Sequence, residues 1–393
     1  MNMKWPLMHN NISRSDANAI IDFLSQDPLP ILTNASKVKE FEAKWGEWLG
    51  TKYNVMVNSG SAANELSLLY LKYKFPQGGE VIVPPMAWVS DVAAILQNDF
   101  TPVFCDIKLN NLALDIEDIK RKITSRTKAI LLIHILGYNG ISDELIQICK
   151  EKNILLIEDV CESHGATFNG RKVGTFGDIS NFSFYYAHHM TSIEGGMICT
   201  DNHDIYQLIR AFRSHGMLRE TTDEDLKKKV LNENPDLNKD FVFLEAAHNF
   251  RSTEINAVLA LNQLPNLDKN NKIRAENLDI FLDNLNPDKF FVDFDRTGNS
   301  NYAFTLILKK PDWALAMNVE TALRNAGIEF RRGLSGGGNQ LRQPYLRRIF
   351  GNSYLNFPVT DHCHNFGWYI GNYPELPKEY ITELTSLVND LPS

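Results

Sequence analysis

Short apolar runs alternate with amphipathic stretches between about residues 36 and 200. The runs predict strands at 53–57, 80–83, 102–106, 129–136, 154–158, 181–185 and 197–200. Helical spacing of apolar positions predicts helices at 38–49, 62–73, 91–98, 116–123 and 141–152. Continuous apolar strands that alternate with helices indicate a mostly parallel sheet with helices on both faces.

The pattern changes in the second half of the chain. It predicts helices over 202–220 and 253–285, separated by a charged, weakly periodic insertion at 221–245. Strands follow at 301–308 and 327–331 with a helix between them, and two helical segments lie near the end. We therefore predict an α/β protein with a large domain, including an N-terminal arm, over 1–270 and a small α+β domain over 271–393.

Charge and length exclude several classes of protein. The chain has 393 residues, of which 44% are hydrophobic, with 40 basic and 48 acidic residues and a net charge of −8. The lysine triple at 227–229 lies in an acidic segment and forms no basic stripe, so we expect no nucleic-acid partner. The N-terminal residues lack an apolar signal segment, and the 129–136 run is too short to span a bilayer. We expect a cytoplasmic protein without membrane contact.

The cysteines support a reducing compartment. Five cysteines are scattered without a C-x-x-C pair, namely Cys105, Cys149, Cys161, Cys199 and Cys363. An odd number without close pairs argues against a disulfide framework and against an iron–sulfur cluster.

Two turns after predicted strands carry residues suited to an anionic, planar ligand. Gly60 and Ser61 lie in a small-residue turn before a helix, where backbone amides favour phosphate, although such turns also arise for steric reasons. Asp159 ends another strand and could hold a protonated ring nitrogen or serve as a helix N-cap.

Two further features are ambiguous when taken singly. His188 and His189 follow a predicted strand, where a histidine pair suits an acid–base site, a metal site or simple packing. Neighbouring strand residues point to opposite faces, which argues against one metal ion taking both. Trp88 follows two prolines at a strand end, where it could stack on a planar ligand or pack in the core.

Taken together and in order, these motifs resemble the DegT/DnrJ/EryC1 family of sugar aminotransferases, which are fold type I pyridoxal-phosphate enzymes. The resemblance covers nearly the whole chain. Its motifs are 58–63, 83–88, 158–166, 174–178, 182–184, 194–196, 214–216 and 249–251.

The resemblance implies a role for each matching residue. Gly60, Ser61 and Ser183 would bind the cofactor phosphate, Trp88 would stack on the ring, and Asp159 would pair with its nitrogen. The resemblance also implies that Asn249 reaches the phosphate held by a neighbouring subunit, so that a homodimer shares its active sites.

The chain departs from the family at two positions. His188 stands where the family keeps the lysine that forms a Schiff base with the cofactor, and imidazole forms no stable Schiff base. Glu162 stands where the family usually has glutamine. With Gly338 and Asn339 downstream, these changes resemble a dehydratase branch that holds pyridoxal 5'-phosphate or pyridoxamine 5'-phosphate non-covalently.

That branch implies removal of the C3 hydroxyl from a nucleotide-linked 4-keto-6-deoxyhexose. L-Glutamate would donate the amino group that forms pyridoxamine phosphate, and ammonia would leave the released product. We expect His188, titrating near neutrality, to be the acid and base, with Asp159 and Glu162 completing the catalytic set. The resemblance favours a GDP-linked sugar, since the related CDP-sugar enzyme carries an iron–sulfur cluster on cysteines that this chain lacks.

Three more residues are candidates for substrate binding. His215 and Arg219 lie where the family lines the sugar site, and Arg331 suits an anionic group, although a solvated helix end explains the first two equally well. The segment 335–339 suits a mobile lid or a flexible loop. His362, Cys363 and His364 are crowded into one short segment, so we expect no metal site there.

Three alternatives remain open from the sequence. One is a sugar aminotransferase that works without the lysine, which Glu162 and His188 together argue against. Another is a non-catalytic scaffold, which the retained cofactor residues Asp159, Ser183 and Asn249 argue against. The third is a dehydratase that acts on a CDP-linked sugar or another ketosugar.

Overall fold

A seven-stranded sheet forms the centre of the protein in the computed structural model, which describes residues 5–392. Its strand order is β1-β9-β8-β5-β4-β2-β3. The strands are β1 (Tyr53–Val57), β2 (Glu80–Val83), β3 (Thr101–Phe104), β4 (Thr127–Ile133), β5 (Leu155–Asp159), β8 (Ile179–Ser183) and β9 (Gly196–Thr200). A short hairpin, β6 (Thr167–Phe168) and β7 (Arg171–Lys172), lies outside this sheet.

Helices cover both faces of this sheet and continue into the second half of the chain. They are α1 (Arg14–Leu24), α2 (Ser36–Leu49), α3 (Gly60–Lys74), α4 (Val89–Gln97), α5 (Ile116–Lys122), α6 (Asp143–Lys152), α7 (His203–Arg213), α8 (Glu224–Glu233), α9 (Glu254–Gln263) and α10 (Leu267–Asn284). Apolar residues from the two faces of the sheet belong to separate buried clusters. The predicted α/β class is therefore confirmed.

A three-stranded antiparallel sheet with the order β10-β12-β11 follows. Its elements are β10 (Ala303–Ile307), α11 (Trp313–Asn325), β11 (Phe330–Arg332), the irregular turn α12 (Leu334–Gly337), α13 (Pro344–Phe350), α14 (Pro358–Phe366), β12 (Gly367–Gly371) and α15 (Lys378–Asn389). The indole of Trp5 donates a 2.8 Å hydrogen bond to the carbonyl of Gly371, so the start of the N-terminal arm packs on this sheet. The division of the chain at residue 270 stays a prediction.

Several predicted elements end earlier than expected. The 129–136 strand ends at Ile133 because the chain turns at Leu136, whose φ is 53°. The 202–220 helix ends at Arg213. The 253–285 helix is two helices, because Pro265 lacks the N–H that a continuous helix needs at that position.

The sheet is mostly parallel, with one exception. β9 pairs antiparallel with both β1 and β8, whereas β8, β5, β4, β2 and β3 run parallel to one another. The carboxyl ends of β4, β5 and β8 therefore meet at one edge, which is where open parallel sheets bind ligands. Across residues 5–392, no helix combines the length and apolarity needed to cross a membrane.

Candidate active site

Asp159 lies at the carboxyl end of β5 and is only 5% exposed. Its Oδ1 accepts a hydrogen bond from the Cys161 amide at 2.9 Å, and its Oδ2 accepts one from Asn64 Nδ2 at 2.8 Å. A turn rather than a helix follows β5, so Asp159 is not a helix N-cap. The carboxylate is thus held by its neighbours at the edge where a ligand is expected.

The adjacent Glu158 points to the other side of the strand and is fully buried. Its carboxylate accepts hydrogen bonds from the amides of Gly174, Phe176 and Gly177 at 2.7, 2.8 and 2.6 Å. His134 Nε2 lies 3.1 Å away, and because His134 Nδ1 accepts from the Gly140 amide, Nε2 is the donor. Burial acts to raise the pKa of Glu158, but these donors outweigh it and lower the pKa. Glu158 therefore anchors the end of β5 that carries Asp159.

Glu162 lies on the turn after β5, where its Oε2 accepts a 3.0 Å hydrogen bond from the Leu136 amide. Burial raises the pKa of Glu162 to about 7, the Leu136 amide opposes this shift, and the nearby Asp159 adds to it. Glu162 therefore changes its charge near neutral pH, unlike the glutamine that the family usually carries.

His188 lies on the loop after β8, and Asn11 of the N-terminal arm donates a 2.8 Å hydrogen bond to its carbonyl. The imidazole packs between the rings of Tyr185 and Tyr302, with centroids 5.9 and 5.3 Å away. Its Nδ1 is buried without a hydrogen-bond partner in the described chain.

The expected titration of His188 near neutrality is wrong. Burial lowers the pKa of His188 to about 4, the negative charge of Asp159 opposes this shift, and the positive charge of Arg274 adds to it. His188 is therefore neutral at neutral pH, which is the form that a base requires.

The second histidine of the pair has a different role. His189 is 3% exposed, and its Nε2 donates a 3.0 Å hydrogen bond to the carbonyl of Ser300. Its ring stacks on His164 at 5.2 Å, and burial lowers the pKa of both rings well below the usual histidine value. His189 is thus a packing residue whose Nε2 is taken by the Ser300 carbonyl.

The predicted phosphate turn lies beside Ser183. A Cβ added to Gly60 would lie 2.7 Å from the Ser183 Cβ and 2.9 Å from Cys161 Sγ, so only glycine fits there. Ser59 caps helix α3 by accepting from the Ala62 amide at 3.0 Å. The first amides of this helix have no partner within the helix and lie near Ser183 and exposed Ser61, a setting that suits an anion. The phosphate role of this turn stays a prediction.

Trp88 is the N-cap of α4 and is 50% exposed. Gly336 of the α12 turn lies directly against its indole, because a Cβ at Gly336 would come within 2.0 Å of the ring. The glycine-rich segment that the sequence suggested as a lid thus reaches over the predicted stacking residue.

The structure brings some predicted substrate residues to the site and leaves others apart. Arg331 is exposed on β11, and its charge acts on Tyr185 beside His188. His215 and Arg219 contact the 240–248 segment instead, through hydrogen bonds to His248 and Asp240. Within residues 5–392, no hydrogen bond or ion pair joins these two residues to Asp159 or His188.

Asn249 is exposed and pairs with Ser214 in an isolated bridge beside β1. Its side-chain oxygen accepts a 3.2 Å hydrogen bond from the Arg251 amide, which leaves the Nδ2 donors for another group. This exposure suits a residue that reaches towards a second copy of the chain.

Sequence reasoning missed six residues that support the site, five of them buried and one, Tyr302, half-buried. They are Asn64, Asp91, Asn181, His164, Arg274 and Tyr302. Their partners are distant in sequence, so no local motif points to them. His362 has a structural contact instead, since its Nε2 donates to the Leu308 carbonyl at 2.7 Å.

The residues fit a pyridoxal-phosphate group held without a covalent bond. A helix N-terminus suits its phosphate, Asp159 suits its ring nitrogen, and the buried Nδ1 of His188 lacks a protein partner. None of the lysines between residues 5 and 392 is buried, so none occupies the position of a Schiff-base lysine inside this site.

Comparison with known proteins places the chain in a family. The sequence profile of the DegT/DnrJ/EryC1/StrS aminotransferase family matches residues 12–389. The chain belongs to this family. The predicted fold type I architecture and the predicted family are therefore confirmed.

Three related proteins share most of their length with this chain. GDP-4-keto-6-deoxy-D-mannose 3-dehydratase of Escherichia coli O55:H7 is 32% identical over 349 residues, which cover 87% of this chain and 89% of the relative. The Yersinia pseudotuberculosis protein of the same name is 30% identical, with 98% of both chains covered. A crystal structure of GDP-4-keto-6-deoxymannose-3-dehydratase with a trapped PLP-glutamate geminal diamine is 30% identical, has a TM-score of 0.84, and covers 98% of this chain and 100% of that one.

Proposed function

We propose that this protein is a pyridoxal-phosphate-dependent lyase that removes the C3 hydroxyl of a nucleotide-linked 4-keto-6-deoxyhexose. The observation that carries the proposal is His188, a neutral imidazole at the family's lysine position, close enough to Asp159 for that charge to act on it. L-Glutamate supplies the amino group that converts pyridoxal phosphate to pyridoxamine phosphate.

Each site residue has a role in this proposal. Gly60, Ser61 and Ser183 bind the phosphate, Trp88 covers the ring, and Asp159 keeps its nitrogen protonated. When bound, the cofactor supplies an amine for the C4 ketone and an electron sink for the neighbouring bonds.

His188 moves the protons. Its neutral imidazole accepts a proton from the carbon next to the ring and then returns one to the departing C3 hydroxyl, which leaves as water. Glu162 lies beside Asp159 and changes its charge near pH 7, so it supplies a second proton-holding group in the same pocket.

Histidine favours dehydration over amino transfer for a chemical reason. A lysine amine can displace an amino sugar from the cofactor and so complete an amino transfer. Imidazole shuttles protons but cannot make that displacement, so the C3 hydroxyl has time to leave.

The relatives support a GDP-linked substrate. Two of them are named for GDP-4-keto-6-deoxy-D-mannose, and the solved structure, named for the same ketosugar, carries a trapped PLP-glutamate adduct. For this chain we propose a GDP-linked sugar as substrate and glutamate as co-substrate. The reaction would serve the synthesis of a dideoxysugar of the O-antigen. Arg331 at the mouth of the site would bind the anionic part of a substrate.

The working unit in this proposal is a cytoplasmic homodimer with shared active sites. Asn249 is exposed and would reach the phosphate held by the second copy, while His215 and Arg219 would contribute to the second copy's sugar site. The five cysteines are free thiols, as suits a reducing compartment.

The mass of the sugar product tests the proposal. The protein is incubated with pyridoxal phosphate, excess L-glutamate and GDP-4-keto-6-deoxymannose. We expect a product one oxygen atom lighter, with ammonia released in equal amount. A product with an amino group in place of the ketone would overturn the dehydratase assignment in favour of an aminotransferase. If the mass does not change, the GDP assignment is wrong, and the CDP-linked 4-keto-6-deoxyglucose is assayed next.

A further inference from the structure

A second aspartate lies beneath Asp159. Asp91 is in the first turn of α4 and is 1% exposed. Asn64 Nδ2 donates to Asp91 Oδ1 at 2.8 Å and also to Asp159 Oδ2 at 2.8 Å. One amide group therefore uses both of its hydrogens to join two buried carboxyl groups.

The orientation of this amide is fixed from its other end. Asn64 Oδ1 accepts a 2.8 Å hydrogen bond from Asn181 Nδ2. The Ser67 hydroxyl lies 2.8 Å from Asn181 Oδ1 and 2.9 Å from the Ala63 carbonyl, and its one hydrogen is shared between these two acceptors. A flipped Asn64 would face the Asn181 donor with its own N–H groups, so its amide must point at the two aspartates.

The acidic groups around Asp91 disfavour a negative charge on it. The titratable groups that act on Asp91 or on which it acts are Asp159, Glu162, Cys161 and Tyr345, all of them acidic groups. Burial raises the pKa of Asp91 well above its usual value, and Asp159 raises it further. Two carboxylates in one buried site cannot both ionise cheaply, so one of them keeps a proton.

From this geometry we propose that Asp91 is a positioning residue, which stays protonated and holds the Asn64 amide against Asp159. The pair then carries one negative charge, and that charge resides on Asp159, the member that faces the ligand edge. The inference rests on the proposed cofactor role of Asp159, but not on which sugar is converted.

This arrangement has a chemical consequence. Asp159 stays fixed and singly charged opposite the protonated ring nitrogen, while Asp91 adds structure without adding charge. An asparagine at position 91, which has the same shape and no charge, should therefore still position Asn64 against Asp159. A truncated side chain should not.

The first test measures the urea unfolding of the cofactor-free protein and of its Asp91→Asn variant against pH. The proposal requires that the pKa of Asp91 in the folded protein lies above its unfolded value of about 3.9. The unfolding free energy of the wild type, relative to the variant, should then be highest at low pH and fall as pH rises. Asp118→Asn on α5 is the matched control, since the lowered pKa of Asp118 predicts the opposite pH trend. If the difference in unfolding free energy between the wild type and Asp91→Asn does not change with pH, Asp91 is not held protonated and the proposal is overturned.

The second test reads the ring nitrogen directly. Pyridoxamine phosphate labelled with ¹⁵N in the ring is bound to the wild type, Asp91→Asn and Asp91→Ala, and its ¹⁵N chemical shift is recorded against pH. We expect the nitrogen to stay protonated across neutral pH in the wild type and in Asp91→Asn, and to lose its proton at lower pH in Asp91→Ala. Loss of the proton in Asp91→Asn would mean that Asp91 is charged, and an unchanged Asp91→Ala would mean that it positions nothing.

Kinetics complete the second test. We expect Asp91→Ala to lower kcat about tenfold and to leave KM for the sugar nearly unchanged. Asp91→Asn should keep the wild-type kcat. If KM rises instead while kcat is kept, Asp91 does not act through Asp159. The unfolding and ¹⁵N measurements need no sugar turnover, so failure of the proposed dehydration would leave them interpretable.

Discussion

The acidic floor (Asp159 with Asn64, Asp91 and Asn181) and the histidine loop (residues 185–192) belong to one site and differ in how their polar groups are satisfied. In the floor, the polar groups that hold Asp159 are hydrogen-bonded within the protein. The bonds from Asn64 to Asp159 and Asp91, from Asn181 to Asn64, and from the Cys161 amide to Asp159 are 2.8–2.9 Å long. In the loop, His188 Nδ1 is buried without a partner in the described chain, although the backbone of the loop is held by Asn11.

This difference separates binding from chemistry. The floor is preorganised by the fold and can hold a charged ring without rearrangement, as electrostatic preorganisation requires. The imidazole in the loop has no competing partner, so its nitrogen atoms are available for proton transfer. Changes in the loop should therefore alter the reaction, while changes in the floor should alter how the ring nitrogen is held.

The largest expected effect comes from giving the loop the family's lysine. We expect His188→Lys to lower dehydration by about 10⁴-fold, the upper end for an acid–base group, and to attach pyridoxal phosphate covalently after borohydride reduction. Intact-protein mass spectrometry measures the attachment. His362→Lys, a lysine outside the site, is the control and should gain no reducible adduct. Wild-type protein with a covalent cofactor would contradict non-covalent binding.

A pair of neighbouring carboxylates separates function from folding. Asp159→Asn should lose dehydration but lose less unfolding free energy than Glu158→Gln, because Asp159 accepts from two donors in the protein whereas Glu158 accepts from four. Glu158→Gln should lose about 3 kcal/mol of unfolding free energy, because its new N–H group faces buried backbone donors. Urea unfolding and steady-state rates of the two variants test this. Equal loss of stability in both would break the distinction between the two faces of β5.

The half-buried imidazole of His188, whose Nδ1 is enclosed, also predicts a pH effect on stability. The pKa of His188 is about 4 in the folded protein, so between pH 6.5 and 4 only the unfolded chain takes up its proton. The unfolding free energy should therefore fall as pH falls, by about 2 kcal/mol more in the wild type than in His188→Asn. Parallel pH curves for the two proteins would show that His188 is not buried as described.

The smallest effect is expected at the edge of the floor. Glu162 has a pKa of about 7, and Glu162→Gln keeps an oxygen that can accept from the Leu136 amide. We expect kcat/KM to change less than about tenfold, equivalent to 1.4 kcal/mol, and to lose a pH dependence near neutrality. A variant that keeps the wild-type pH profile would assign that dependence to another group.

The sequence predicted the local elements better than the contacts between them. β1 and β2 begin and end where expected because turn residues bound their apolar runs, and His188 was found because it precedes Glu194 and two glycines at the family's spacing. Pro265 was present in the sequence, but its effect on a long periodic helix was not recognised.

The parts that could not be predicted depend on tertiary burial. Asn64 and Asp91 lie within ordinary helical patterns, and only the fold brings them to Asp159. The lowered pKa of His188 arises from burial and from Arg274, whose helix α10 is remote in sequence. Residue types and spacing therefore indicated the chemistry, whereas the charge states required the packed structure.

The most direct test of the division between floor and loop is a single-turnover measurement with His188→Ala. Wild type and variant are loaded with equal pyridoxamine phosphate, mixed with the ketosugar, and quenched to follow loss of the C3 hydroxyl, while cofactor Kd is measured separately. We predict a rate about 10²–10⁴-fold lower with Kd little changed, because the floor binds and the histidine transfers protons. Dehydration by His188→Ala at the wild-type rate would contradict the account.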